Sequence, residues 1–188
     1  MPIYLTTEES HNELLGKEPL ALLIGMLLDQ QIPMERAFSA PALLKERLGG
    51  TLDASLIAAM STSALTDVFS QKPALHRFPK SMAARCILLC EIITHEYGND
   101  TEKIWLEAES GKDLVDRLTK LPGFGEQKAK IFAALLGKQF GITPINWREA
   151  AAPFGQEGVH MSVADITSEE TLRLVKDYKA QMKAKAKK

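Results

Sequence analysis

The stretch at residues 121–130, LPGFGEQKAK, decides the fold because it predicts a tight turn between two helices. Pro122 has a fixed φ near −65° and no amide hydrogen, so it ends the preceding helix. Gly123 and Gly125 permit backbone angles that a side chain would forbid, so their N–H groups can point outward together. The helix that follows adds unpaired N-terminal amides and the positive end of its dipole. The stretch therefore predicts a phosphate-sized anion site built from backbone.

Basic residues surround this turn, although the formal net charge of the whole chain is −1. Residues 117–148 contain six basic residues and one acid, Glu126, which gives a local net charge of +5. Contacts between such cations and phosphates are independent of base sequence and weaken with salt. The alternative is a plain helix C-cap followed by a turn. We predict that the turn binds the phosphate backbone of double-stranded DNA through Gly123, Phe124, Gly125, Gln127, Lys128 and Lys130.

The composition is that of a packed globular protein, with 188 residues of which 45% are hydrophobic. This length allows one large domain or two interlocked lobes. The N-terminal sequence lacks the basic and apolar regions of a signal peptide, and the longest apolar run, residues 19–28, is about half a membrane span. We expect a cytoplasmic, nucleoid-associated monomer with no membrane partner.

The cysteines and histidines indicate neither a metal nor a cofactor. Cys86 and Cys90 are four residues apart on one helix face, where a disulfide has poor geometry. Two cysteines cannot supply the four thiolates of an iron–sulfur cluster or of a closed zinc site. The four histidines have no ligand spacing. We therefore predict that both cysteines are buried core residues.

Helical signals cover the chain, and no strand pattern with a period of two residues is present, so the predicted fold class is all-α. Thr6 and Glu9 are spaced as a capping box. The lysine-rich tail at residues 179–188 is expected to fray and to be solvated, with DNA contact as the alternative. The predicted helices cover residues 6–16, 19–28, 33–48, 53–60, 62–71, 81–97, 104–108, 112–119, 126–138, 146–151 and 168–185.

Two segments carry a resemblance to a known superfamily. LPGFGEQKA resembles the helix-hairpin-helix signature LPGxGxxxA of the DNA glycosylases, which include endonuclease III and the adenine mismatch and 3-methyladenine glycosylases. Residues 23–32, LIGMLLDQQI, resemble the buried helix of that superfamily that ends in Gln-Gln. The resemblance covers about residues 19–141, and the whole chain is similar to an actinobacterial-type branch that lacks the iron–sulfur cluster.

The resemblance implies a two-lobed, all-helical fold in which the hairpin lies at a cleft. One lobe would comprise about residues 18–138, including the hairpin at 112–138, and the other about residues 1–17 and 139–188. The implied activity is base-excision repair, in which the N-glycosidic bond of a flipped nucleotide is cut through an oxocarbenium-like sugar. A non-catalytic DNA-binding module and a helical protein–protein scaffold are the alternatives.

The sequence departs from the superfamily at both catalytic positions. The lyase lysine of the superfamily corresponds here to Gln127, and Lys128, one residue later, is rotated by about 100° on a helix. This difference predicts a monofunctional glycosylase without strong lyase activity, although a shifted helix start would bring Lys128 into the catalytic position. Residues 141–149, GITPINWRE, contain no aspartate where the superfamily has its catalytic one.

Three carboxylates are candidates for the missing acid. Glu149 is the nearest in sequence, and its alternative role is a partner for the dipole of a helix capped by Asn146. Asp165 is the second candidate, with a turn or a helix cap as its alternative. Asp29 is the third, because the helix that it ends should approach the cleft. Further pocket candidates are Gln30, Gln31 and Trp147, the last of which is alternatively a core residue.

Overall fold

A computed structural model describes residues 3–186, and in this range the chain is helical without any strand, which confirms the all-α class. No helix in the same range is both long enough and apolar enough to cross a membrane. A short 3₁₀ helix lies at Val163–Asp165. The α-helices are α1 Glu9–Lys17, α2 Pro19–Leu28, α3 Met34–Arg47, α4 Ala54–Ala58, α5 Thr62–Ser70, α6 Pro79–Tyr97, α7 Lys103–Leu106, α8 Gly111–Thr119, α9 Glu126–Phe140, α10 Trp147–Ala150 and α11 Glu169–Ala186.

The described chain forms two compact units. The N-terminal unit comprises Thr6–Ile104 and Leu121–Gly123, and the C-terminal unit comprises residues 3–5, Trp105–Lys120 and residues 124–186. The division of the chain therefore falls after Ile104, whereas the resemblance placed the lobe boundaries near residues 18 and 138. Residues Leu121–Gly123 of the turn between α8 and α9 group with the N-terminal unit, while the rest of the turn and both helices group with the C-terminal unit.

The N-terminal unit is built around α2, in which every residue from Leu20 to Leu28 is buried. A helix that is apolar on all sides must be surrounded by other elements, as the sequence predicted. Close approach of α3 depends on Gly25, since a Cβ atom there would lie 2.7 Å from the ring of Phe38. Glycine at this position therefore allows the two helices to pack in direct contact.

The C-terminal unit packs around Trp147, which is 8% exposed. A Cβ atom at Gly137 would lie 2.3 Å from the indole ring, and one at Gly111 would lie 2.4 Å from the Cα atom of Trp147. Glycines on α8 and α9 thus make room for the tryptophan of α10. The interpretation of Trp147 as a core residue is confirmed.

The predicted capping box of Thr6 is wrong, and Asn146 makes no side-chain cap. The Thr6 hydroxyl bonds to the backbone of Glu8, and α1 begins at Glu9 without a side-chain cap. Asn146 precedes α10 in the left-handed conformation, with φ +58°, and its side chain makes no capping bond. The lysine-rich tail is helical up to Ala186, and its last two residues lie outside the described range.

Candidate nucleic-acid interface

The predicted hairpin is present as two helices joined by the six residues 120–125. Helix α8 is capped at its C-terminal end by Lys120, and α9 begins at Glu126 with Gly125 as its N-cap. The side chains predicted to pack on the inner side of the hairpin are all buried, with exposed fractions of 3% for Leu121, 4% for Phe124 and 0% for Ala129. Burial of these apolar residues holds the turn, so its backbone is preorganised.

The backbone of the turn offers several amide donors that have no acceptor within the protein. No side chain caps the N-terminus of α9. Across the described chain, the amides of Gly123, Gly125 and Glu126 donate to no carbonyl and to no side chain, and all three residues are exposed. Unpaired amides at a helix N-terminus attract anions, because the helix dipole adds partial positive charge there. The turn therefore presents three unpaired amide donors to solvent.

The two glycines of the turn have different roles. Gly123 has φ +77°, and a Cβ atom there would lie 2.8 Å from Cδ1 of Leu27. Gly125 has φ −80° and ψ 175°, which any residue can adopt, and no atom lies within 4 Å of a Cβ atom built there. The expectation that both glycines adopt angles forbidden to side chains is therefore wrong for Gly125.

This difference predicts an order of stability for three alanine variants. Gly123→Ala should lower the free energy of unfolding by about 2–3 kcal/mol, because it combines left-handed strain with the contact to Leu27. Gly141→Ala should cost about 1 kcal/mol, since Gly141 has φ +70° but nothing within 4 Å. Gly125→Ala should cost least. Urea unfolding measures the order, and an equal loss at Gly123 and Gly141 would show that the Leu27 contact is irrelevant.

The cations around the turn are largely neutralised, contrary to the net charge of +5 counted from sequence. Four of the six form ion pairs with carboxylates, three of which lie outside residues 117–148. The net charge counted over residues 117–148 therefore overstates the positive charge that surrounds the turn. The pairs are Arg117–Asp113 at 3.0 Å, Lys130–Glu126 at 2.7 Å, Lys138–Asp165 at 2.5 Å and Arg148–Glu157 at 2.7 Å.

The residues at the start of α9 differ in their surroundings. The Lys130 ammonium lowers the pKa of the exposed Glu126 carboxyl through a hydrogen bond and through its charge. Gln127 is exposed. Lys128 is half-buried, and its Nζ atom lies 5.7 Å from the centre of the Phe124 ring. The Lys128 side chain therefore runs over this aromatic face, where a cation is attracted by the ring.

Of the three candidate carboxylates, Asp165 has a structural role. Its side chain, 3% exposed, accepts hydrogen bonds from Nζ of Lys138 at 2.5 Å and from the amides of Met161 at 2.8 Å and Ser162 at 3.1 Å. Together with Ser162 it forms a capping box at the 3₁₀ helix. These bonds engage both oxygens of the carboxylate. The alternative interpretation, a helix cap, fits Asp165.

Glu149 and Asp29 lie in different units. Glu149 is exposed and lines an open surface cavity of about 480 Å³ in the C-terminal unit, together with Glu126, Lys130 and Ile145. Asp29 is half-buried at the C-cap of α2 in the N-terminal unit.

The residue after Asp29 places a polar side chain against the turn. The Gln30 side chain donates to the Leu27 carbonyl at 2.7 Å and accepts from a guanidinium nitrogen of Arg85 at 2.8 Å. A Cβ atom at Gly123 would lie 3.5 Å from Nε2 of Gln30 and 3.6 Å from Cδ of Arg85. Gln31 is exposed and has φ +58°. Gln30, Arg85 and the turn thus meet within the N-terminal unit.

A basic segment that the sequence reasoning missed lies in the same unit. Residues 68–90 contain Lys72, Arg77, Lys80 and Arg85 and no acid. Phe78, at the N-cap of α6, is 42% exposed, and the Arg77 guanidinium lies 5.3 Å from the centre of its ring. Arg77 and Lys80 are exposed and, in the described chain, form no ion pair. An exposed aromatic ring between cations is typical of nucleic-acid surfaces. In the sequence, the pattern that indicates this surface is the stretch of residues 68–90, which contains basic residues and no acid.

Long-range hydrogen bonds hold this segment in place. Arg36 and Arg47 of α3 donate to the carbonyls of Ala74 at 2.6 Å and of Val68 at 2.9 Å. The buried His76 ring accepts from the amide of Phe78 at Nδ1, at 3.0 Å, so in neutral His76 the Nε2 atom carries the hydrogen. Nε2 therefore donates to the carbonyl of Gln30, at 2.9 Å. One imidazole thus couples Gln30 beside the turn to the exposed Phe78.

The candidate interface is inferred from the positions of its residues in this chain. Among residues 3–186, no three His, Cys, Asp or Glu side chains are grouped so that they could hold a metal ion. Cys86 and Cys90 are free and buried, as predicted. No family model, curated protein or solved structure matches the chain.

Proposed function

We propose that the protein binds duplex DNA through the phosphate backbone and acts in base-excision repair as a monofunctional DNA glycosylase. The observation that carries the proposal is the set of exposed, unpaired amides at Gly123, Gly125 and Glu126. Such donors suit a phosphate, whose charge is stabilised by the helix dipole without any side-chain cation. The motif resemblance adds the glycosylase part of the proposal.

The basic segment around Phe78 supplies a second DNA contact in this proposal. Arg77 and Lys80 contact phosphates, and Phe78 stacks on a base or fills the space that a base leaves when it rotates out of the duplex. Gln30 and Arg85 lie beside the turn at Gly123 and are further candidates for contact with the bound DNA.

The proposed chemistry is hydrolysis of the N-glycosidic bond. We assign the carboxylate to Asp29, because it directly precedes Gln30 and belongs to the same unit as Gly123, whereas Glu149 and Asp165 belong to the other unit. The Asp29 carboxylate stabilises the developing oxocarbenium ion while the base departs with the bonding electron pair. Water then adds to C1′ and loses a proton to Asp29, which passes it to solvent, and the departed base takes up a proton from solvent. Gln127 has no amine, so no Schiff base forms at its position.

A panel of duplexes with damaged or mismatched bases tests the proposal. We expect salt-sensitive binding of duplex DNA and release of at least one base without strand nicking. Asp29→Asn should abolish base release and keep DNA affinity within about twofold, since the phosphate contacts remain. Glu149→Gln is the matched control and should change neither quantity.

Other outcomes of this panel separate the alternatives. DNA binding without base release from any duplex would favour the non-catalytic module. Absence of salt-sensitive DNA binding would favour a protein–protein scaffold. A borohydride-trapped adduct on abasic DNA that is lost in Lys128→Ala would contradict the monofunctional assignment.

A further inference from the structure

The C-terminal helix α11 is long but packs little against the rest of the C-terminal unit. Of its 18 residues, Glu169–Ala186, Val175 is the buried one. Leu174 is 37% exposed and Met182 is 45% exposed. Most of the stability of helices in proteins comes from packing of an apolar face, and α11 has little such packing. A helix with so little packing has most of its surface available for a partner.

The exposed surface of α11 carries a basic stripe. At 100° per residue, Arg173, Lys176, Lys179 and Lys183 fall within about 120° of one another on the helix. From Arg173 to Lys183 the stripe is about 15 Å long, which matches the axial length of about four phosphates of one DNA strand. After Asp177 the sequence contains five lysines and no acid.

The cations of this stripe differ from those around the hairpin. Arg173, Lys179 and Lys183 are exposed and form no ion pair in the described chain, whereas four of the six hairpin cations are paired. An exposed lysine without a carboxylate partner keeps its full charge for an external anion. The stripe is therefore the denser source of available positive charge in the C-terminal unit.

We infer that α11 is a second DNA-binding element, which lies along the phosphate backbone through the stripe Arg173, Lys176, Lys179 and Lys183. This inference rests on the proposed function for the identity of the polyanion. Charge complementarity and the 15 Å length of the stripe, about ten residues of helix, favour a nucleic-acid backbone. A membrane surface fits less well, because α11 has no Trp or Phe and exposes Leu174 and Met182 as its only large aliphatic side chains.

A charge-matched pair of double variants tests this inference in the full chain. Lys179→Gln with Lys183→Gln should reduce the slope of log Kobs against log salt by about 1.8, or about 0.9 for each lost phosphate contact. At 0.1 M salt the affinity for duplex DNA should fall about tenfold or more. The control, Lys17→Gln with Lys112→Gln, removes two exposed lysines that already have carboxylate partners and should leave the slope unchanged.

The outcomes separate this inference from the proposed function. If Lys179→Gln with Lys183→Gln leaves the slope unchanged while Gly125→Asp weakens binding, the role of α11 is overturned and the hairpin site stands. If the α11 variant alone weakens binding, the inference stands and the hairpin site fails. If both double variants change the slope equally, loss of any two exposed lysines has the same effect, and the specific role of the α11 stripe is overturned. Vesicles of phosphatidylcholine and phosphatidylserine serve as the second probe, and tighter binding to them than to duplex DNA would overturn the nucleic-acid assignment.

Discussion

Replacing Gly125 by aspartate is expected to weaken duplex-DNA binding by about tenfold or more without loss of stability. Gly125 is the N-cap of α9, and its backbone angles and open surroundings admit a side chain without strain. Aspartate is among the best N-cap residues, so its carboxylate should accept hydrogen bonds from the first amides of α9. The same carboxylate then occupies the anion site and repels a phosphate, while the cap stabilises the helix by a few tenths of a kcal/mol.

Gly125→Asn is the matched control, because asparagine caps a helix about as well as aspartate but is neutral. We expect its DNA affinity to lie between those of the wild type and Gly125→Asp, with thermal stability close to both. Titration of a labelled duplex at two salt concentrations and thermal unfolding of each variant measure these quantities. Wild-type affinity in Gly125→Asp would show that the amides of the turn bind no phosphate.

Several elements could be predicted from the sequence because their signals are local. The apolar run of α2 predicted a helix buried on all sides, and the glycine at 98 ends α6 in the left-handed conformation. Pro122 follows the end of α8, and Gly123, with φ +77°, forms the turn before α9. In each case the decisive residues lie within a few positions of the feature that they determine.

The charge of the candidate site could not be predicted in the same way. Counting within residues 117–148 missed Asp165 and Glu157, which neutralise Lys138 and Arg148 from outside that window. Pairing depends on which segments the fold brings together, and a linear count contains no such information.

The surface around Phe78 was missed for a related reason. Its cations are local in sequence, but its order comes from Arg36 and Arg47, whose partner carbonyls at Ala74 and Val68 lie 38 and 21 residues away. A sequence pattern detects the residues of such a surface, whereas its rigidity depends on long-range hydrogen bonds. The prediction of a helix cap fails for a similar reason when a nearby backbone group competes for the capping side chain. The Thr6 hydroxyl, for example, bonds to the backbone of Glu8.

Replacing Asp165 by alanine is expected to lower the free energy of unfolding by about 3–5 kcal/mol, the largest stability change that we predict. The Lys138 side chain is 15% exposed and would keep a charge without its partner. The amides of Met161 and Ser162 would lose their acceptor at the same time. Urea unfolding measures the change, and Glu149→Gln, on an exposed carboxylate, should stay within about 0.5 kcal/mol of the wild type.

Asp165→Asn distinguishes a structural carboxylate from a catalytic one, because asparagine keeps an oxygen acceptor and loses the charge. A structural Asp165 predicts a loss of stability smaller than that of Asp165→Ala, with base release retained at temperatures well below unfolding. Adding Lys138→Met should restore part of the lost stability, since a buried charge without a partner costs more than an apolar side chain there. A catalytic Asp165 predicts the opposite pair of results, unchanged unfolding and abolished base release. That outcome would make Asp165, rather than Asp29, the proposed catalytic carboxylate, and it would contradict the role of Asp165 as a helix cap.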